Sequence, residues 1–242
     1  MISRVVIVMA MRAEAAPVID AFDAAPVPVP SGRTHEWHLA TRGATTVVVA
    51  VNGVDPRFGV DGIGPEPAVM NTIAAIDRFH PDLVVSAGTA GGWQARGGSI
   101  GKVYLSYPHV VRHDRRIDID GFREYGVGSF PVVAMRSVAA DIDAEPGVVT
   151  TGGSLDETAE DIEAMARLDA RAKEMEAASV AWVCEALGVP FIALKTITDL
   201  ADVDHPTADQ FIENLHTASA RLTEHLVRFV DRVAGRELDA LD

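Results

Sequence analysis

Residues 80–92 read His80-Pro-Asp-Leu-Val-Val-Ser-Ala-Gly-Thr-Ala-Gly-Gly92. Leu83–Ser86 is an almost continuously apolar run, the mark of a strand buried on both faces of a sheet. The turn that follows, Ala87 to Gly92, is glycine-rich and lies at the strand's carboxyl end, where open α/β sheets gather their ligands. Working outward, the same kind of run recurs at Val5–Met9, Thr46–Val51, Val103–Ser106, Val148–Thr151 and Phe191–Thr198. Helical patterns lie between these runs. Pro65 to Phe79 opens with prolines and carries Val69, Ile73 and Ile76 on one stripe. Thr158 to Leu168 follows a Ser154/Glu157 capping-box spacing that also fits a turn. Met175 to Leu187 stops at Gly188-Val-Pro190, and a last helix is expected from about Thr207, an N-cap candidate, to Val233. Ala25 to Gly32, APVPVPSG, reads as a surface turn. Strand–helix–strand alternation predicts an α/β fold with helices on both faces of the sheet, as one domain over residues 1–242.

Composition narrows the class. The 242 residues carry 35 acids against 21 Lys and Arg, a net charge of −14, with 48% hydrophobic residues. That apolar content is too high for a disordered chain, and no apolar run approaches the ~18–20 residues of a membrane span. The opening MISRVVIVMAMRAE is too short in its apolar part for a signal peptide or anchor. Cys184 is the single cysteine, so nothing requires an oxidising compartment. Excess acid repels phosphate backbones, which disfavours nucleic acid and anionic membranes as partners. The expectation is a cytoplasmic globular protein.

Five further segments share the character of Ala87–Gly92: Ala10-Met-Arg-Ala-Glu14, the loop from Asn52 to Gly64, Thr151-Gly-Gly-Ser-Leu-Asp156, Thr198-Asp-Leu-Ala-Asp202, and Lys173-Glu-Met-Glu176, which is expected to open a helix. Glycine, hydroxyl and carboxylate residues thus collect at one end of the sheet. In order and spacing, MAMRAEAAPVID, GVDGIGPEP, HPDLVVSAGTAGG, HDRRIDIDGFREYGVG, TTGGSLD, KEMEAASVAWV and LKTITDLADVDHPTADQFIENL resemble the 5′-methylthioadenosine/S-adenosylhomocysteine nucleosidases of the purine nucleoside phosphorylase superfamily, the plant-type branch above all. The resemblance runs through nearly the whole chain. It implies a twisted mixed central sheet flanked by helices, usually a homodimer, no cofactor, and hydrolysis of an adenine nucleoside to adenine and the thioribose, as in methionine salvage.

Cleaving an adenine–ribose bond passes through an oxocarbenium-like sugar. A base must activate water, an acid must protonate the purine at N7, and the ribose hydroxyls must be held. By the resemblance, Glu14 is the water-activating base, the one glutamate kept of the family's Met-Glu-Glu-Glu run. Read alone, it is equally a first-turn glutamate favoured by the helix dipole. Asp199 matches the acid toward N7, although a free aspartate with a pKa of ~3.9 needs burial to keep its proton, and an N-cap is the commoner role. Asp202 is a competing cap and not the acid. Glu176 matches the acceptor of the ribose hydroxyls. Glu174, counted with the binding residues, is its natural control, and Met175 packs on the sugar or simply belongs to the core.

Thr89, Ala90 and Gly91 match ribose and purine contacts, with glycine admitting close backbone approach. Ser154 and Leu155 match the segment that pairs with the adenine edge, a leucine being the plant-type residue there. Ile63 and Ile117 match the pocket lining, Ile117 near the 5′-alkylthio tail. Lys195, lysine in the plant-type branch, orients water or a carboxylate, or pairs with Glu14 or Glu176. His113-Asp-Arg-Arg116 reads as a structural or subunit-contact loop.

Two departures stand out. The family usually has aspartate where this chain has Gly153, which weakens the assignment of Ser154 and Leu155 if that carboxylate braces the loop. The Ala208 region lacks an aromatic over the alkyl tail, which points to methylthioadenosine over the bulkier homocysteine conjugate. Rival readings are a phosphorylase using Arg12 and Arg57 for phosphate, a nucleosidase for another adenine compound, and a silent nucleoside-binding protein. His109 and His113 do not have zinc-site spacing, so no metal is expected.

Overall fold

The computed structural model describes residues 1–30 and 32–242. Its strands are β1 (Arg4–Met9), β2 (Ala25–Val27), β3 (Glu36–Arg42), β4 (Thr45–Val51), β5 (Leu83–Gly92), β6 (Val103–Arg112), β7 (Phe130–Pro131), β8 (Glu145–Thr151), β9 (Ala170–Glu174) and β10 (Phe191–Leu200). The helices are α1 (Arg12–Phe22), α2 (Pro65–Phe79), α3 (Arg123–Val127), α4 (Arg136–Ile142), α5 (Ala159–Arg167), α6 (Ala177–Leu187) and α7 (Thr207–Val233).

All ten strands belong to one mixed sheet, nine of them in the order β10-β6-β8-β9-β5-β1-β4-β3-β2, with β7 paired to β6 off that path. Because β10 also pairs with β5 in parallel, the first five close into a small barrel, from which β1, β4, β3 and β2 extend as an open wing. The parallel strands β4, β1, β5 and β10 are four of the apolar runs of the sequence, and their alternation builds two cores. Val5, Ile7, Met9, Val47, Val49, Leu83 and Val85 point to one face, where α1, α4 and α7 cover them. Val6, Val8, Val48, Ala50 and Val84 point to the other, covered by α2 and α6. The long α7 contributes Leu222, Leu226, Phe229, Val230 and Val233, a stripe at helical spacing. Among the described residues no helix is long and apolar enough to cross a membrane.

Several local expectations are corrected. Ala25–Val27 is an edge strand on β3; an edge position tolerates Pro26, whose missing N–H costs no ladder bond. Ser31 of that stretch lies outside the described residues. Lys173 and Glu174 end strand β9 and do not open a helix, which starts only at Ala177. Their charges are satisfied in buried ion pairs, which hides the strand in the sequence. The capping box of α5 is formed by Thr158 and Asp161, while Glu157 pairs with Lys173. At α7 the N-cap is Pro206, and Thr207 is the first helical residue.

Candidate active site

The carboxyl ends of β1, β5, β9 and β10 surround a cavity of about 720 Å³. Its walls include Glu14, Ile63, Thr89, Ala90, Gly91, Ser154, Leu155, Glu174, Met175, Glu176, Lys195 and Asp199, so all but one of the residues expected at the site converge here. The exception is Ile117. It lies outside the lining, in the loop after β6, where its Cγ1 is 3.4 Å from the position of a Cβ on Gly126.

Glu14 sits in the first turn of α1, buried, with Oε1 accepting from the Thr89 amide at 2.7 Å and the Thr89 hydroxyl at 2.6 Å. Its Oε2 lies over Gly88, 3.3 Å from where a Cβ would stand. Burial pushes its pKa up, against the pull of the Thr89 hydrogen bonds and Lys195. Asp199 lies within β10 and caps no helix. Its Oδ1 accepts from the Thr198 hydroxyl at 2.9 Å, while Oδ2 is buried without a hydrogen-bond partner among the described residues. Burial raises the pKa here too, so the carboxyl keeps its proton to higher pH than a free aspartate. Asp202, by contrast, accepts from the amides of Gln94 and Ala95 at 2.7 and 2.8 Å and caps a turn.

The two glutamates near the start of α6 divide their work. Glu174 borders the cavity, but its carboxylate is engaged elsewhere. It accepts from the amides of Glu176 and Ala177 at the head of α6 and from the Thr151 hydroxyl, and it pairs with Lys195 Nζ at 2.9 Å. The expectation of Glu174 as a substrate contact is therefore corrected to a helix cap and counter-ion. Glu176 Oε1 accepts from the Gly64 amide at 2.7 Å, which leaves Oε2 for a ligand. Burial and the neighbouring Glu174 charge push Glu176 up to about 7. Burial opposes the charge of Lys195, but the carboxylates of Glu174 and Glu176 outweigh it and raise the pKa. Lys195 also donates to Ser86 Oγ at 3.1 Å.

The loop carrying Ser154 and Leu155 is braced from the end of β6. Asp114 Oδ2 accepts from the Gly153 amide at 2.6 Å, so a carboxylate does reach this turn despite the glycine at 153. Gly152 admits the His113 ring, whose Nε2 is 2.2 Å from where a Cβ would stand. The sequence reading gave no site role to several wall residues, among them Met11, His113, Lys173 and Phe211. Phe211, one turn into α7, puts an aromatic side chain in the cavity wall three residues on from Ala208.

Buried carboxylates beside a hydroxyl-bearing turn at the sheet's carboxyl end fit the chemistry of a nucleoside site. The Phosphorylase superfamily matches residues 4–231 of this chain. A 5′-methylthioadenosine nucleosidase from Arabidopsis thaliana is 37% identical over 99% of the chain and 91% of its own length. A 5′-methylthioadenosine/S-adenosylhomocysteine nucleosidase from Anoxybacillus flavithermus is 30% identical over 80% and 92%. The apo structure of the Arabidopsis thaliana 5′-methylthioadenosine nucleosidase superposes with a TM-score of 0.96 at 35% identity, covering 99% of each chain. The chain belongs to the phosphorylase superfamily and, within it, to the 5′-methylthioadenosine/S-adenosylhomocysteine nucleosidase family.

Proposed function

We propose that this chain hydrolyses the N-glycosidic bond of 5′-methylthioadenosine, with S-adenosylhomocysteine as a second substrate, releasing adenine and the thioribose. The observation that carries hydrolysis over phosphorolysis is the charge of the cavity. Its wall cations are Arg12, Lys173 and Lys195, and each is paired with a carboxylate: Glu36, Glu157 and Glu174 respectively. Arg57 lies outside the wall, its guanidinium 4.9 Å over the Phe58 ring. Glu14, Glu176 and Asp199 meanwhile face the cavity with an oxygen each to offer. Such a site attracts a developing cation and repels phosphate.

In the step itself, Asp199 donates its proton to N7 as the C1′–N9 bond breaks and its electron pair moves onto the purine. Water adds its oxygen to C1′ and gives its proton to Glu14 Oε2, while Glu176 holds the ribose hydroxyls against the growing positive charge. Thr89 fixes Glu14, and Lys195 fixes Glu174 at the head of α6.

Adenine release from methylthioadenosine, followed chromatographically in matched buffers with and without phosphate, tests this reading. Equal release with free methylthioribose is expected. Release only with phosphate would move the chain to the phosphorylases, and the roles of Arg12 and Arg57 would be reopened.

The finer assignments rest on supporting features. Ile119, Phe122, Tyr125 and Trp182 are large apolar side chains left exposed around α3 and α6, which supports a homodimer. Sedimentation should give twice the chain mass, and Phe122→Glu should give one. A role in methionine salvage follows from the substrate. A cytoplasmic location is supported by the lone buried Cys184, and fractionation of the source cells tests it.

A further inference from the structure

Gly91 has two partners in register: Lys173 across the antiparallel pairing with β9, and Asp199 across the parallel pairing with β10. A Cβ on Gly91 would lie 2.5 Å from Asp199 Oδ2 and 2.5 Å from Lys173 Cε. The two side chains therefore fold over the glycine from opposite strands and become neighbours above it. Lys173 is buried, yet its ammonium pairs with Glu157 and not with Asp199. It donates to Glu157 Oε2 at 2.5 Å and to the Leu155 carbonyl at 2.9 Å. The charged groups that face Asp199 are Lys173 from β9 and Glu157 from the loop before α5, with Thr198 as hydrogen-bond donor.

We propose that Lys173, with Glu157 as its counter-ion, is a positioning residue for glycosidic cleavage: it ties the purine-edge loop at Leu155 to the sheet end and fixes the charge that Asp199 faces. The proposal rests on the hydrolytic reading above. Its logic is a balance at one carboxyl group. Burial favours the protonated form that can donate to N7, Lys173 favours the ionised form left after donation, and Glu157 offsets Lys173. Without the lysine, Asp199 would hold its proton too tightly to release it to the purine. Without the glutamate, Lys173 would act unopposed and loosen the hold of Asp199 on that proton.

Opposite displacements test this. In the full chain, the Asp199 carboxyl is titrated by difference infrared spectroscopy without ligand, with Asp199→Asn identifying the band. In parallel, kcat and KM for methylthioadenosine are followed across pH. Lys173→Met should move the Asp199 transition up by about one pH unit, a tenfold change in proton affinity, and raise KM several-fold as the Leu155 tether is lost. Glu157→Gln should move the transition down and leave KM near wild type, and Lys173→Arg should restore both. Shifts in the same direction, or none, would overturn the proposal. If Lys173→Met does not fold, the glutamine and arginine variants decide it. If wild type releases no adenine, the hydrolytic reading fails, while the infrared titration still judges the coupling of Lys173 to Asp199.

Discussion

Glu14 and Asp199 are both carboxyl groups in one cavity, yet their surroundings ask different things of them. Burial raises the Glu14 pKa, but two hydrogen bonds from Thr89 pull it back toward the ionised form that a base needs. Asp199 leaves Oδ2 buried and unpartnered among the described residues, which favours the protonated form that an acid needs. Glu14→Gln and Asp199→Asn should each cut kcat more than about tenfold, at the low end of what acid and base groups contribute, with circular dichroism unchanged. Gly91→Ala makes a separate prediction. Its methyl would collide with the buried side chains of Asp199 and Lys173, which are held in place by Thr198 and by Glu157 and the Leu155 carbonyl. Overpacking of this kind costs about 1–3 kcal/mol, so a lower melting temperature and a loss of turnover should appear together.

At the scale of elements, the head of α6 is held by a carboxylate from the preceding strand. Glu174→Ala would uncap the helix and strand Lys195 in the interior without its counter-ion. Breaking one side of a buried pair costs roughly 3–5 kcal/mol, and thermal unfolding should register it. Glu176→Gln, two residues on, should reduce turnover without that penalty. The pair thus separates a structural glutamate from a binding one, a distinction that spacing alone does not make because both precede the helix. Strand β9 shows the reason. A five-residue strand with two charges at its end has no apolar run, so only the pairings with β5 and β8 reveal it. The apolar strands needed no such help: the runs at Val5, Thr46, Leu83, Val103, Val148 and Phe191 are all strands, because a buried parallel strand is apolar at every position. The half-exposed wing strands β2 and β3 carry no such signal.

For the whole molecule, the site carries a stability cost that depends on pH. Glu176 is held near 7 in the fold, above its ordinary value of 4.5. A carboxyl group with a raised folded pKa supports the fold fully below its unfolded value, and that support is lost as pH rises through the folded one. Stability should therefore decline between about pH 4.5 and pH 7 from this group. In Glu176→Gln the decline should be shallower, with a melting temperature above wild type at pH 8, as scanning calorimetry would show.

The run of apolar strands and the loops at their carboxyl ends determined, from sequence alone, that this is a single α/β domain with one ligand end. Which carboxylates stand there followed from the resemblance to the nucleosidases, since the local pattern alone reads Glu14 as a first-turn glutamate and Asp199 as a cap. Closure of the barrel through β10 and β5, the diversion of Glu174 to α6, the removal of Ile117 from the cavity and the meeting of Lys173 with Asp199 over Gly91 were decided only by the tertiary structure. Each depends on which strand lies beside which, and pairings between residues so far apart in sequence leave no trace in any local pattern.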